Sequence, residues 1–197
     1  MKTLFISAAI HFSRIALFST VVTLAACTSG DGQKQGSGSS KAATVAPPNV
    51  DIHTAVITDN LEALKQHIAA GSNINEKDPF GGSSPLISAA VFGKPDAAKI
   101  LIDAGADINF QNNDGSTALL TSAFFCRTEI VKMLLDKKAD KSIKNKFGST
   151  AYESVSAPFA DVKNAYDMMG KMLAPLGLTL DYAYIEKTRP EIAAMLK

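Results

Sequence analysis

The chain has 197 residues, 46% of them apolar and 20% charged, with 20 Lys+Arg against 19 Asp+Glu and a formal charge of +1. These are the proportions of an ordinary globular protein with room for one domain plus extras. A nearly neutral chain has no electrostatic footprint for nucleic acid, so no nucleic-acid partner is expected.

At the N-terminus Lys2 and Arg14 flank a mostly apolar start, and the run from Ile15 to Ala26 (IALFSTVVTLAA) carries no charge. It is too short to cross a bilayer core, which takes roughly 20 residues, and reads as the apolar part of a secretory signal. Leu24-Ala25-Ala26-Cys27 resembles the bacterial lipobox, in which two small residues precede the lipid-accepting cysteine because the peptidase cleft admits no bulk there. The resemblance implies removal of residues 1–26 and a mature chain that begins at an acylated Cys27. The other reading is a plain secretory signal followed by a chance cysteine. Thr28 stands where lipoproteins held at the inner membrane of enterobacteria-like systems carry aspartate, which favours a periplasmic location on the outer membrane. Cleavage would remove Lys2 and Arg14 and no acid, leaving 18 bases against 19 acids. With Cys27 lipidated, Cys126 has no partner for an intrachain disulfide.

Residues 27–48 follow as a tether. The stretch TSGDGQKQGSGSSKAATVAPP has hardly an apolar side chain to bury. As a random coil of about 20 residues it would hold a domain on the order of 25 Å from a membrane.

From Asn49 the chain repeats itself with a fixed period, the mark of a stacked array. Gly82-Ser83-Ser84-Pro85-Leu86 recurs as Gly115-Ser116-Thr117-Ala118-Leu119 and as Gly148-Ser149-Thr150-Ala151-Tyr152, each step being 33 residues. In the same frame Ile100-Leu101-Ile102 meets Met133-Leu134-Leu135. An earlier unit, from Asp51-Ile52-His53 to Gly71-Ser72-Asn73, joins at a spacing of 34, the extra residue falling in the Pro79-to-Ser83 loop. Four units result, at 49–77, 78–111, 112–144 and 145–156 onward.

These residues resemble the ankyrin family, whose repeat runs G-x-T-P-L-H-x-A-A, then a Gly, a second helix ending in L-L, and G-A-D-V-N. The resemblance implies an all-α solenoid of about four helix-turn-helix repeats with a helical C-terminal cap. Ser84, Thr117 and Thr150 are placed to cap first helices through a side-chain oxygen, and Pro85 sits where its missing N–H costs nothing. Ala89-Ala90 and Ala123 keep the first helix slim so that the next repeat can lie against it. Gly71 and Gly105 supply the left-handed residue that ends the second helix. Repeat three departs from the pattern, with Cys126 and Lys138 where glycines belong.

After Tyr152 the fourth unit degenerates. Ala157-Pro158 breaks the expected turn, a longer helix runs from Asp161 to about Ala174, and Pro175-Leu176-Gly177 ends it. Thr188-Arg189-Pro190-Glu191 before Ile192-Ala193-Ala194-Met195-Leu196 is a further helix start. Residues 157–197 are thus expected to form a degenerate last repeat and helical cap, with Met168, Met169 and Met172 as core filler between them.

No enzyme is expected. The chain contains no H-E-x-x-H, G-x-S-x-G, C-x-x-C or P-loop pattern, so no cofactor or metal is expected either. His53 takes the place of the ankyrin first-helix histidine, which by resemblance makes hydrogen bonds within and between repeats. Cys126 beside Arg127 could be an activated thiol, or a small half-buried thiol at a helix turn, the reading preferred here.

In ankyrin arrays partner contacts come from the loop fingertips and from the two positions after the Ala-Ala pair. Carried over, the helix positions are Ile57 and Thr58, Val91 and Phe92, and Phe124 and Phe125, five of them apolar. Phe92 is expected to stack beside Phe125. The fingertips add Phe80, Phe147, Lys144 and Lys146. An exposed aromatic surface of this kind marks an interaction site, unless the C-terminal segment folds back over it. Lys137, Lys138 and Lys141 extend the basic residues, as a solvated rim or as a second patch for acidic partners or lipid head groups. By resemblance to ankyrin lipoproteins, the protein would be an immunity partner of a type VI secretion effector, a lipase neutralised by occlusion, and a monomer apart from that partner. The alternative is an envelope scaffold for a resident periplasmic protein.

Overall fold

The computed structural model describes residues 46–197; the expected signal at 1–26, the expected lipid site at Cys27 and the expected tether up to residue 45 lie outside the described residues. The chain divides into two units, Met1–Ser40 and Lys41–Lys197, and the described residues fall in the second. Those residues form helices and no strands. Helices pair as α1 (Ile52–Ile57) with α2 (Leu61–Ala69), α3 (Pro85–Phe92) with α4 (Pro95–Asp103), and α5 (Ala118–Phe124) with α6 (Thr128–Asp136). The first helices stack α1 on α3 on α5, and then on α7 (Ala151–Ser156), while α2, α4 and α6 form a second layer.

Local chemistry sets where the first helices start. Asp51, Ser84, Thr117 and Thr150 each accept a hydrogen bond from the backbone N–H three residues on, and Glu153 returns the favour to the Thr150 N–H. Each such cap stabilises its helix by about 1 kcal/mol. Ala89, Ala90, Ala97, Ala98 and Ala123 are wholly buried, so the helices approach on small side chains. Leu64, Leu101 and Leu134 fill the space between the layers, each contributing roughly 1.5–3 kcal/mol by burial. The fold is therefore an all-α ankyrin-type solenoid, as the repeat pattern predicts.

The turn positions that lack glycine keep the glycine geometry. Asp59 and Cys126 have φ of 58° and 56°, close to the 63° of Gly93, and Lys138 has φ 61° beside 72° and 85° for Gly71 and Gly105. Packing of the helices on either side holds these residues in the left-handed region at a cost of about 1 kcal/mol each.

The fourth repeat is complete but interrupted. Helix α9 (Tyr182–Leu196) packs on α7 and on α6, occupying the second-layer place that α6 holds against α5 and α4. Its residues follow the same pattern: Arg189-Pro190-Glu191-Ile192 and Leu196 answer Arg127-Thr128-Glu129-Ile130 and Leu134, and Ile192 and Leu196 are as buried as Ile130 and Leu134. Between α7 and α9 the turn is expanded into α8 (Phe159–Leu173), a 3-10 turn (Ala174–Leu176) and a returning segment. Pro158, with φ −53° and ψ 144°, diverts the chain out of α7. Helix α8 buries only Tyr166. Met168 and Met172 are 63% and 59% exposed and Met169 is half-buried, so the methionines are not core filler. No helix of the described residues is long and apolar enough to cross a membrane.

Candidate protein-binding surface

Two sets of residues face outward on the array: the ends of the first helices and the fingers that join the repeats. The fingers are built by Asx turns. Asp78 accepts from the N–H groups of Phe80, Gly81 and Ser83, and Asn112 and Asn145 accept in the same manner in fingers two and three. Asp78 N–H bonds Ser83 O across five positions, whereas Asn112 bonds Ser116 and Asn145 bonds Ser149 across four. The extra residue of the first loop is thus accommodated in the finger itself. Successive fingers are laced by Asn113 N–H to Gly81 O at 2.9 Å and Lys146 N–H to Asp114 O at 2.8 Å. Lower down, Asp107 N–H donates to Asn75 Oδ1 and Asp140 N–H to Asn109 Oδ1, both at 2.9 Å. These bonds make the finger edge one rigid surface. Gly82 is needed there, because a β carbon would overlap the Asn113 amide.

The predicted residues divide. Phe80 and Phe147 stand 89% and 77% exposed at the fingertips, and Lys144 and Lys146 are exposed beside them. Ile57, Val91 and Phe92 are half-buried at the ends of α1 and α3, and Thr58 is exposed. Phe124 and Phe125 are different. Phe125 is 2% exposed, edge-on to Phe124 at 5.1 Å and 6.0 Å from the Arg127 guanidinium, so it cannot touch a partner. Phe124 is stacked under Tyr166 of α8. Phe92 pairs with neither ring among the described residues. The cause is the expanded fourth turn. Tyr184 donates to Cys126 O, the Cys126 thiol lies 3.6 Å from Ile185 O, and Tyr166 covers Phe124, so α8 and the start of α9 close over the end of α5. The C-terminal segment therefore folds back on this part of the surface, while Ile57, Val91 and Phe92 stay half-buried at the ends of α1 and α3.

The two histidines and Cys126 of the described residues make packing and hydrogen-bond contacts within the array. His53 Nε2 donates to Glu76 O and its Nδ1 lies 3.1 Å from Ser88 Oγ, tying repeat one to repeat two. His67 Nε2 donates to Val50 O at 2.7 Å. Burial pushes the Cys126 thiol up to about 11, with Arg189 and Arg127 opposing only in part, which is the opposite of an activated nucleophile. No group of residues able to hold a metal is found among the described residues.

Sequence reasoning missed Tyr166 and Arg189, which organise the covered end. Arg189 Nη1 donates to Tyr166 Oη at 2.8 Å and Nη2 to Ala157 O at 2.9 Å, while Arg127 Nη2 donates to Val91 O at 3.1 Å. The signal was the pattern that Arg189-Pro190-Glu191-Ile192 shares with Arg127-Thr128-Glu129-Ile130; the expected helix start at Thr188–Glu191 is not one, since Asp181 caps α9 eight residues before Arg189 and Pro190 lies inside the helix.

Residues 52–145 match the ankyrin repeats family, in three copies. Human protein phosphatase 1 regulatory subunit 27 is 39% identical over 74 residues, 37% of this chain and 47% of that protein; its mouse counterpart is 41% identical over 64 residues, 32% and 41% of the two chains. The human DNA-binding protein RFXANK is 34% identical over 59 residues, 30% of this chain and 23% of that protein. The chain spans less than half the length of these curated relatives. Among solved structures, the ankyrin repeat domain of Bcl-3, a member of the IkappaB protein family, is similar with a TM-score of 0.51 and 28% identity over 55% of this chain and 53% of that one. Residues 52–145 are thus ankyrin repeats, and the class of protein they define is the protein-binding scaffold.

Proposed function

We propose that this protein is a lipid-anchored periplasmic ankyrin protein that binds one specific protein and disables it by occlusion, the partner being an antibacterial secreted effector of the lipase or phospholipase type. The binding half of the proposal is carried by one observation. Apolar side chains reach solvent on the outward side of the array, Phe80 and Phe147 exposed on the fingers and Ile57, Val91 and Phe92 half-buried at the ends of α1 and α3. Large apolar side chains left in water on an otherwise well-packed scaffold mark a docking surface. A relative named as a regulatory subunit fits a chain that acts by binding another protein. Anchoring rests on Leu24-Ala25-Ala26-Cys27 and the Gly/Ser-rich stretch after it. An apolar face suits a lipase, whose substrate mouth is itself apolar, and a protein seated there would exclude lipid.

The test is co-purification with the product of the neighbouring gene. The expected result is a stable complex that silences lipase activity and weakens at least tenfold with Phe92→Asp. Cys27→Ser should move the protein from the membrane to the soluble fraction. A neighbouring product that is no toxin, or that binds the Phe92→Asp protein as well as the unaltered one, would sink the effector reading.

A further inference from the structure

Residues 159–182, inserted between α7 and α9, make contacts of their own. The Phe159 ring lies 5.7 Å from that of Tyr166 and 6.2 Å from that of Tyr182, so the start of α8 meets the end of the returning segment. Lys163 Nζ sits 5.0 Å from the centre of the Tyr182 ring. Gly170 lets the segment run close to the helix, since a β carbon there would stand 3.3 Å from Leu180 Cδ1 and 3.8 Å from Tyr182 Oη. Helix and segment are thus one body. It is joined to the array through extended backbone, Ala157 and Pro158 with ψ 152° and 144° before α8, and Asp181 with ψ 100° before α9. None of it falls in residues 52–145, the part that matches ankyrin repeats.

Little holds this body to the array. Helices α8 and α9 are each 15 residues long, yet α9 buries Ile185, Thr188, Arg189, Ile192 and Leu196 while α8 buries Tyr166 alone. Elements with few buried side chains open first, so α8 can part from the array while α9 stays docked. The closed form also carries a cost. Arg189 is 2% exposed, makes no ion pair among the described residues, and has no hydrogen-bond partner for its Nε. Tyr166 is one of the groups that seal it, accepting from Nη1 at 2.8 Å. A buried charged donor left unpaired opposes the packing around it, and water admitted by opening would satisfy it.

Beneath Tyr166 lies Phe124, which holds in repeat three the place of Val91 in repeat two and Ile57 in repeat one. Ile57 and Val91 reach solvent in part, whereas both the ring and the carbonyl of Phe124 are taken by Tyr166. We propose that residues 159–182 are an autoinhibitory flap, which opens about Ala157–Pro158 and Asp181 and gives a protein partner access to Phe124 only when Tyr166 lifts. Opening lengthens the row of Ile57 and Val91 by one repeat step, about 10 Å at ordinary helix spacing. A partner with an apolar ridge gains that contact in the open form alone, so its binding shifts the flap towards open. The inhibitory role rests on the protein-binding reading, and the opening itself does not.

Hydrogen exchange of the full chain in a neutral detergent, read by mass spectrometry at rising urea below the unfolding transition, tests the opening. Amides of α8 should exchange about a hundredfold faster than those of α9, at a rate nearly independent of urea, as a local opening requires. Exchange of α8 and α9 at one rate would overturn the flap. Tyr166→Phe keeps the ring and removes the hydroxyl from Phe124 O and Arg189, so it should fold and speed α8 exchange severalfold with α3 unchanged. No change in α8 would count against the proposal too. The product of the neighbouring gene then serves as the binding probe. It should bind Tyr166→Phe severalfold more tightly than the unaltered chain, because more of the variant is open, and α8 should lose protection in the complex. Equal affinity for the two, or better protection of α8 when bound, ends the inhibitory role while the protein-binding reading stands. Binding to neither sinks that reading, and the inhibitory role with it.

Discussion

Tyr166 lies flat on Phe124, ring centroids 4.3 Å apart with 14° between the planes, and its hydroxyl donates to the Phe124 carbonyl at 2.6 Å. Arg189 donates to the same hydroxyl, so one fully buried ring joins α8, the end of α5 and α9. Tyr166→Ala should therefore cost about 3–5 kcal/mol, and Tyr166→Phe about 1 kcal/mol from the orphaned carbonyl and guanidinium. Urea unfolding gives both values, and hydrogen exchange in Tyr166→Ala should show α8 unprotected while α3 and α4 stay protected. Equal protection of α8 in the variant would mean that the ring is not its anchor.

Lys138 holds a left-handed conformation that its equivalents Gly71 and Gly105 adopt without strain. Lys138→Gly should raise stability by roughly 0.5–1 kcal/mol, a gain of a few degrees in melting temperature. Cys126→Gly should bring no such gain, since the thiol is 1% exposed and its removal empties a packed site.

Asp78 couples the first finger to pH. Burial pulls its pKa up, but the N–H groups of Gly81, Phe80 and Ser83 outweigh that and hold the carboxyl below its ordinary value. A folded pKa below the unfolded value of about 3.9 means stability that is present above about pH 4 and lost as pH falls through the folded pKa. Asp78→Asn should cost about 1 kcal/mol at pH 7 and much less at pH 2.5. Denaturant titrations at the two pH values check it, and an equal cost at both would refute the assignment.

Cys126 should resist alkylation in the folded protein. With its pKa pushed up to about 11 by burial, the thiolate is scarce at pH 8 as well as enclosed. Iodoacetamide should leave the native thiol intact for hours and label it within minutes in urea, followed by mass spectrometry. Rapid native labelling would mean that the end of α5 opens readily.

Much of this was legible in the chain because ankyrin signals are local. Ser84, Thr117 and Thr150 cap helices three residues away, and His53 links two adjacent repeats. The second half of repeat four escaped because Arg189 follows Arg127 by 62 residues, and a search at the 33-residue step cannot meet it. The inserted α8 broke the frame without altering the pattern on either side.

The binding surface shows the division most clearly. Phe92 and Phe125 hold the same place in successive repeats, and nothing within either repeat distinguishes them. Repetition, capping residues and alanine spacing by themselves determined the solenoid, since each acts over a few residues or one repeat step. The tertiary structure alone decided that Phe125 is buried and Phe92 half open, because burial belongs to whichever distant segment arrives. Here α8 and α9 bring Tyr166 and Ile185 onto Phe124 and Cys126, the two neighbours of Phe125, from some 40 to 60 residues further on.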